Sequence, residues 1–203
     1  MESEKYSWQG YLRQDGRCGI RNHILVIYTV KCSEFVARKI VENSDDLDVE
    51  LIGFDGCTDN QYAVNLLISM IRHPNVGAVL VVGLGCEGIQ AKEIADEIKT
   101  TGKPVEYIVI QEEGGTAKTV SKGVEIAGKM AREISKQNKV EFDISEIILG
   151  LECGGSDPTS GLASNPSIGV ASDMLVSMGG SSILSETTEV IGAEHLLYPR
   201  FED

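Results

Sequence analysis

Three stretches of this sequence repeat one form, an apolar run that ends on a cysteine in a short turn. They are "ELIGFDGCTDN" (50–60), "VLVVGLGCEG" (79–88) and "SEIILGLECGGSD" (145–157); "ILVIYTVKCSE" (24–34) is a fourth version without the glycines. Near-continuous apolar runs such as "VGAVLVV" suit strands buried on both faces. Strands are predicted over 24–30, 49–54, 77–82, 105–110, 147–151 and 182–184, with amphipathic stretches between them. Strand–helix alternation of this kind predicts an α/β fold. The expected form is Rossmann-like and three-layered, a mainly parallel sheet with helices on both faces.

The helices carry their own start and stop signals. Ser33 is placed to cap a helix over 34–43, and Thr58 with Gln61 reads as a capping box for the helix that ends near Arg72. A helix is predicted over 89–100, where Ile94, Ala95 and Ile98 lie at helical spacing before the stop "TGKP". A long helix over 116–136 places Val120, Val124, Ala127, Ala131 and Ile134 on one side. Asn165 followed by Pro166 reads as an N-cap and a first-turn proline, and "MGG" closes that helix at Gly179. Residues 1–22 form a polar arm with turn signals ("QDGRCG"). Residues 23–203 read as one α/β domain, expected to be a fragment of a longer large subunit.

Parallel strands point the same way, so residues just past each strand collect along one edge. Ligands of open α/β sheets bind outside those carboxyl ends. Cys32, Cys57, Cys86 and Cys153 each follow a predicted strand. Glycine beside Cys57, Cys86 and Cys153 lets backbone approach a ligand closely, and a nearby helix N-terminus favours the thiolate. These are properties of a soft metal ligand. Cysteine also packs as a small hydrophobe, and Cys32, without glycines, reads as structural. Cys18, in the arm, reads as incidental. Five cysteines in a chain that reads as cytoplasmic speak against a disulfide framework.

The net charge of −13 argues against a nucleic-acid partner. No apolar run approaches the roughly 20 residues needed to span a bilayer. A small anionic substrate would need a local positive focus, from a bound cation or helix N-termini.

Other clusters have chemistry to offer. "GLGCEG" (83–88) is formally G-x-G-x-x-G after a strand, the setting of a dinucleotide-binding oxidoreductase. However, a carboxylate at Glu87 beside pyrophosphate is unfavourable. In "QEEGGTAK", backbone N–H groups at Gly114, Gly115 and Thr116 could hold a substrate carboxylate, with Lys118 adding charge. Ser156 and Asp157 in "GGSDPTSG" are groups of the kind that bind hydroxyls. "SETTEVIGAEH" brings Glu186 and His195 as acid/base candidates. Each cluster also has a plain structural reading as a glycine turn, a capped loop or a solvated acidic helix start. No nucleophile elbow, P-loop or H-E-x-x-H occurs.

Taken together, "GYLRQDGRCGIRNHILVI", "HPNVGAVLVVGLGCE", "IQEEGGTAKT", "GLECGGSDPTSGLASNP" and "SETTEVIGAEHLL" resemble the sugar-acid dehydratase family of altronate and galactarate dehydratases. The likeness runs from about residue 10 to 197. "IGFDGCTDNQYA" looks closer to the large subunit of a relative, (2R)-sulfolactate sulfo-lyase. The resemblance implies lyase chemistry. A proton leaves the carbon α to a carboxylate, a β substituent departs as water or sulfite, and a 2-keto acid results. It also implies iron, or manganese, to stabilise the enediolate and the leaving group. From spacing and strand ends, Cys57, Cys86 and Cys153 are the expected iron ligands, for one Fe2+ or an iron–sulfur cluster. The family's small N-terminal domain or subunit, which carries histidines that look catalytic, is expected as a partner in a homo- or hetero-oligomer. The chain by itself is expected to be inactive. A non-catalytic iron- or substrate-binding module is the alternative.

Overall fold

The computed structural model describes residues 6–200. The chain divides into two compact units: Gln9–Val140, and Glu141 onward with the residues up to Trp8. The boundary read from sequence, at residue 22, lies within the Gln9–Val140 unit.

The first unit begins at Gln9, inside β1 (Ser7–Leu12), which pairs antiparallel with β2 (Cys18–Gly19) in the register Tyr11↔Gly19. There follow β3 (His23–Tyr28), α1 (Lys31–Glu42), β4 (Val49–Gly53), α2 (Gln61–Ile71), β5 (Val76–Gly83), α3 (Ala91–Ile98), β6 (Val105–Val109), α4 (Ile110–Glu113) and α5 (Thr116–Ile134). Strands β4–β3–β5–β6 form one parallel sheet in that order. The alternation of the sequence predicts this arrangement, and the reason is visible in β5, whose eight residues are all buried.

Side chains alternate across the sheet. Leu25, Ile27, Val79 and Val81 pack against α2 and α3. Ile24, Val26, Ala78, Leu80 and Val82 pack under α1 and α5. Each fully buried Val, Leu or Ile contributes about 1.5–3 kcal/mol, so these two layers dominate the stability of the unit. On the second face α5 can approach α1 because residue 123 is glycine. A Cβ there would lie 2.3 Å from Ile40 Cδ1.

Several local signals resolve differently from their sequence reading. Ser33 does not cap α1. It lies inside the first turn, buried, and its hydroxyl donates to the carbonyls of Val30 (2.9 Å) and Val82 (3.1 Å). The neighbouring strand offers an acceptor that helix-cap statistics do not foresee. The cap of α2 is Asn60, whose side chain accepts from Ala63 N–H at 3.1 Å, so the Thr58–Gln61 box is displaced. The predicted helix over 89–100 is α3 plus a 3-10 turn, Lys99–Thr101, ended by Gly102 at φ +70°. The polar arm holds a hairpin. Its Arg13, 9% exposed, donates to the carbonyls of Pro74 and Arg21 and to the side chains of Asn22 and Gln137.

The second unit contains β7 (Val140–Asp143), β8 (Ile148–Leu151), α6 (Asn165–Ser177), β9 (Ser181–Leu184) and the short α7 (Glu194–Leu197). Strands β8 and β9 are parallel, with Ile148 opposite Ser181 and Leu151 opposite Leu184. Trp8 stacks near Phe142 at 5.2 Å and donates its indole N–H to the Asp143 carbonyl. Asn165 is the first residue of α6 and not its cap, because a π-helical turn, Ser160–Ser164, runs into it. Gly179, at φ +94°, follows the helix end as expected. This unit buries little: of the apolar residues in α6 only Leu175 is buried, while Val170, Met174, Ile183 and Leu184 are exposed. Among the described residues, no helix is long and apolar enough to cross a membrane.

Candidate functional site

In the first unit the chain passes from β3 outward to β4, then returns past β3 to β5. The strand order therefore reverses between β3 and β5, the place where open α/β sheets form a crevice at their carboxyl ends. The residues that follow those two strands meet there. Glu87, 3% exposed, folds back under the 83–88 turn. Its Oε1 accepts from Thr29 Oγ1 (2.8 Å) and Leu84 N–H (3.0 Å), and its Oε2 from Gly85 N–H (2.7 Å). Burial pushes this carboxyl upward. The hydrogen bonds from Gly85, its own N–H, Thr29 and Leu84 outweigh that and hold it below the usual glutamate range.

This arrangement explains each glycine of "GLGCEG" without a nucleotide. A Cβ at Gly83 would lie 2.6 Å from the Glu87 carboxylate. Gly85 has φ +125°, and a Cβ at Gly88 would lie 2.4 Å from Asp59 Oδ1 and 2.7 Å from Asp59 N. The amides that a pyrophosphate would use already serve Glu87. Sequence reading noted the acid as awkward for a phosphate but did not foresee that it fills the turn itself. The same residue pattern, a lone acid inside a glycine turn, was the available signal.

Close approach at Gly88 brings the loops after β4 and β5 together. Gly88 N–H donates to the carbonyl of Cys57 at 3.0 Å. Cys57 and Cys86, both free thiols and both exposed, sit on these joined loops. Cys32 is exposed near the start of α1, and Cys18 is half-buried in β2. Thiols of this kind match iron in donor chemistry.

In "QEEGGTAK", Gly114 and Gly115 both have positive φ and both donate their N–H to the Ile110 carbonyl. Two of the three amides expected to cradle an anion are thus engaged. Thr116 opens α5, and Lys118 is exposed one residue short of its first full turn.

The second unit has its own cleft, of about 250 Å³, at the carboxyl ends of β8 and β9 beside the start of α6. Cys153, Asn165, Glu152, Glu186 and Glu189 line it. Glu186 is the one non-glycine residue at positive φ (59°) among the described residues, a backbone state that costs energy and recurs at functional sites. In that state its Oε2 accepts from Cys153 N–H at 3.2 Å. The Cys153 sulfur is 3.6 Å from Gly155 O and 3.7 Å from Asn165 Nδ2. Cys153 and Glu186, 33 residues apart, are therefore brought together. Asn165, read from sequence only as a cap, joins them. His195 is exposed on α7 and is not among the cleft's lining residues. Asp157 caps the turn that leads to α6, accepting from the Thr159 hydroxyl and from the N–H groups of Thr159 (2.7 Å) and Ser160 (3.1 Å). The Thr159 hydroxyl, then these amides, hold its carboxyl below the usual range. Ser156 is exposed beside it.

Among the described residues, the set of three His, Cys, Asp or Glu ligand atoms that meets within 4.8 Å is His23, Asp48 and Glu50, at the amino end of β3 and β4. His23 Nδ1 lies 2.7 Å from Asp48 Oδ1, and this hydrogen bond brings the ring and the exposed carboxylate together.

Comparison with known proteins adds the following. Residues 10–135 match the domain family described as D-galactarate dehydratase/Altronate hydrolase, second domain, and residues 144–203 match D-galactarate/Altronate dehydratase, C-terminal. Altronate dehydratase of Bacillus subtilis is 31% identical over 98% of this chain, which spans 42% of that protein. Altronate dehydratase of Escherichia coli is 33% identical over 96% of the chain and 42% of its own length. The (2R)-sulfolactate sulfo-lyase subunit beta of Chromohalobacter salexigens is 33% identical over 98% of the chain and 51% of its own length. The chain thus spans about half the length, or less, of these relatives.

Proposed function

The chain belongs to the D-galactarate dehydratase/altronate hydrolase family, and from that premise we propose that it is the portion of a metal-dependent hydro-lyase that dehydrates a sugar acid, altronate or galactarate, to a 2-keto-3-deoxy acid. The observation that carries this reading is similarity whose matched ranges, residues 10–135 and 144–203, extend over both units. Under this proposal Cys57 and Cys86 hold iron on their joined loops, and Cys153 is a thiolate donor in its own cleft. Bound iron, with manganese as a substitute, would act as a Lewis acid toward the substrate's oxygens. Three carboxylates line the Cys153 cleft, Glu152, Glu186 and Glu189, and an anionic hydroxy acid is compatible with them only beside a cation. Glu186 is the proposed proton acceptor, since its carboxylate is fixed in the cleft by Cys153 N–H. In the second unit Ser156 is a proposed substrate contact, with Asp157 holding the loop; in the first unit Thr116 and Lys118, at the start of α5, are proposed as an anion contact of their own. His195 is proposed only as an auxiliary acid. The small histidine-bearing domain or subunit is the proposed partner, the assembly an oligomer, and the cytoplasm its place.

The loop around Cys57 favours a second substrate reading. Its "IGFDGCTDNQYA" resembles the sulfo-lyase form, so sulfolactate is the competing substrate and sulfite the competing leaving group. The test is keto-acid release by the chain, anaerobic and loaded with ferrous iron, with and without the small domain. Altronate, galactarate and sulfolactate are offered in parallel. Turnover is expected only in the combined sample. Vigorous dehydration of altronate by the chain alone would sink the part of the proposal that needs a partner, and release from none of the three would sink the lyase reading.

A further inference from the structure

We propose that Glu87 is a positioning residue, the resident anion of the 83–88 turn, whose buried carboxylate sets the presentation of Cys86 and, through Gly88, of the Cys57 loop. The turn closes around this carboxylate. It takes the N–H groups of Leu84 and Gly85 and the hydroxyl of Thr29. Glu87 lies between the two residues whose placement it governs. On one side is Cys86, exposed; on the other is Gly88, whose N–H holds the Cys57 carbonyl at 3.0 Å. The carboxylate is also anchored from the sheet, because Thr29 follows β3 and its N–H donates to Val82 O in β5 at 3.2 Å. The turn is thereby fixed to two adjacent strands.

A carboxylate suits this place and an amide does not. Three donors from other residues converge on its two acceptor oxygens. Glutamine has one acceptor oxygen and an NH2 group, so Glu87→Gln sets donor against donor at one end of the side chain. An N–H of the turn left without its acceptor is destabilised, so the turn opens locally while the buried strand beneath it stays closed. Placed this way, Glu87 also excludes phosphate groups from amides they would otherwise contact.

The part of the inference that concerns metal rests on the reading of Cys57 and Cys86 as ligands. The experiment therefore has one arm that involves no metal. In the full 203-residue chain, amide hydrogen exchange is followed residue by residue in wild type, Glu87→Gln and the milder Thr29→Val. Glu87→Gln should speed exchange at Leu84, Gly85 and Gly88 by roughly tenfold or more, with Val79–Val82 unchanged, and Thr29→Val should give a smaller effect at the same amides. In the second arm, Co2+ replaces iron as the probe and its thiolate absorption band is titrated. Glu87→Gln should weaken Co2+ binding by roughly tenfold while leaving the band's position to wild type's set of ligands. Unchanged exchange at Leu84 and Gly85, or exchange that rises without any change at Gly88, would overturn the clamp. Faster exchange with unaltered Co2+ affinity would overturn the positioning of the thiols while leaving the metal reading intact. If wild type gives no thiolate band at all, the iron reading fails instead, and the exchange arm alone decides the clamp.

Discussion

At the scale of single residues, the most informative group is a carboxylate that sequence treated as an obstacle. Glu87 in "GLGCEG" is unfavourable beside a pyrophosphate. The structure shows why the motif exists without one: the acid is buried and the turn's own amides bind it. Glu87→Gln is expected to cost about 1–3 kcal/mol of stability at pH 7, read by urea denaturation. The pH dependence has a definite sign. A carboxyl held below its ordinary value of 4.5 in the fold stabilises fully above 4.5 and loses that contribution as pH falls toward the folded value. The gap between wild type and Glu87→Gln should therefore be wide at pH 7 and narrow in acid; a gap constant with pH would contradict this. Cys153 and Glu186 are another residue-scale case. Both were legible as candidates, but their meeting depends on a positive-φ backbone at Glu186 that no periodicity announces. Replacing Glu186 with glycine should relieve that backbone while removing the carboxylate. Replacing it with glutamine should keep an acceptor on Cys153 N–H and abolish proton transfer. Turnover in the combined enzyme is expected to fall in both.

At the scale of elements, what could be read from sequence tracks burial. The strands of the parallel sheet were legible because burial on both faces forces continuous apolar runs, as in β5. The β1–β2 hairpin was not, since it is polar and held by Arg13 rather than by an apolar face. Helix ends were legible only where the cap is local. Asn60, not Thr58, accepts from Ala63 N–H, so Asn60→Ala should cost about 1 kcal/mol and Thr58→Ala very little. Thermal unfolding of the pair tests this directly, and the reverse order would restore the sequence-based cap. The other end of α2 is satisfied by distant cations. Lys103 donates to the carbonyls of Ile71 (2.7 Å) and His73 (2.9 Å), and Arg17 to that of Arg72 (2.7 Å). Burial first, then the nearby Arg13 and Arg17, lower the Lys103 pKa to about 8. The unfolded chain thus binds more protons than the folded one between about 8 and 10.5, so stability gains from this group as pH rises through that window. Wild type should gain on Lys103→Gln across that range, and parallel curves for the two would refute the assignment.

At the scale of the whole molecule, apolar burial is unequal. The two core layers lie within Gln9–Val140. Residues 141–200 place Ile148, Leu162, Val170, Met174, Leu184 and Ile191 at the surface, each more than half exposed. A two-stranded parallel sheet is only marginally stable by itself. Limited proteolysis should therefore cut first after Val140 and leave a resistant fragment near 9–140. A hydrophobic dye should bind wild type and lose most of its signal when that region is removed; uniform digestion along the chain would argue otherwise. The three identities fall within 31–33%, so substrate choice rests on the assay rather than on similarity. The exposed sheet has a consequence in the cell as well. A chain released with such a surface presents what chaperones and proteases recognise as unfinished folding.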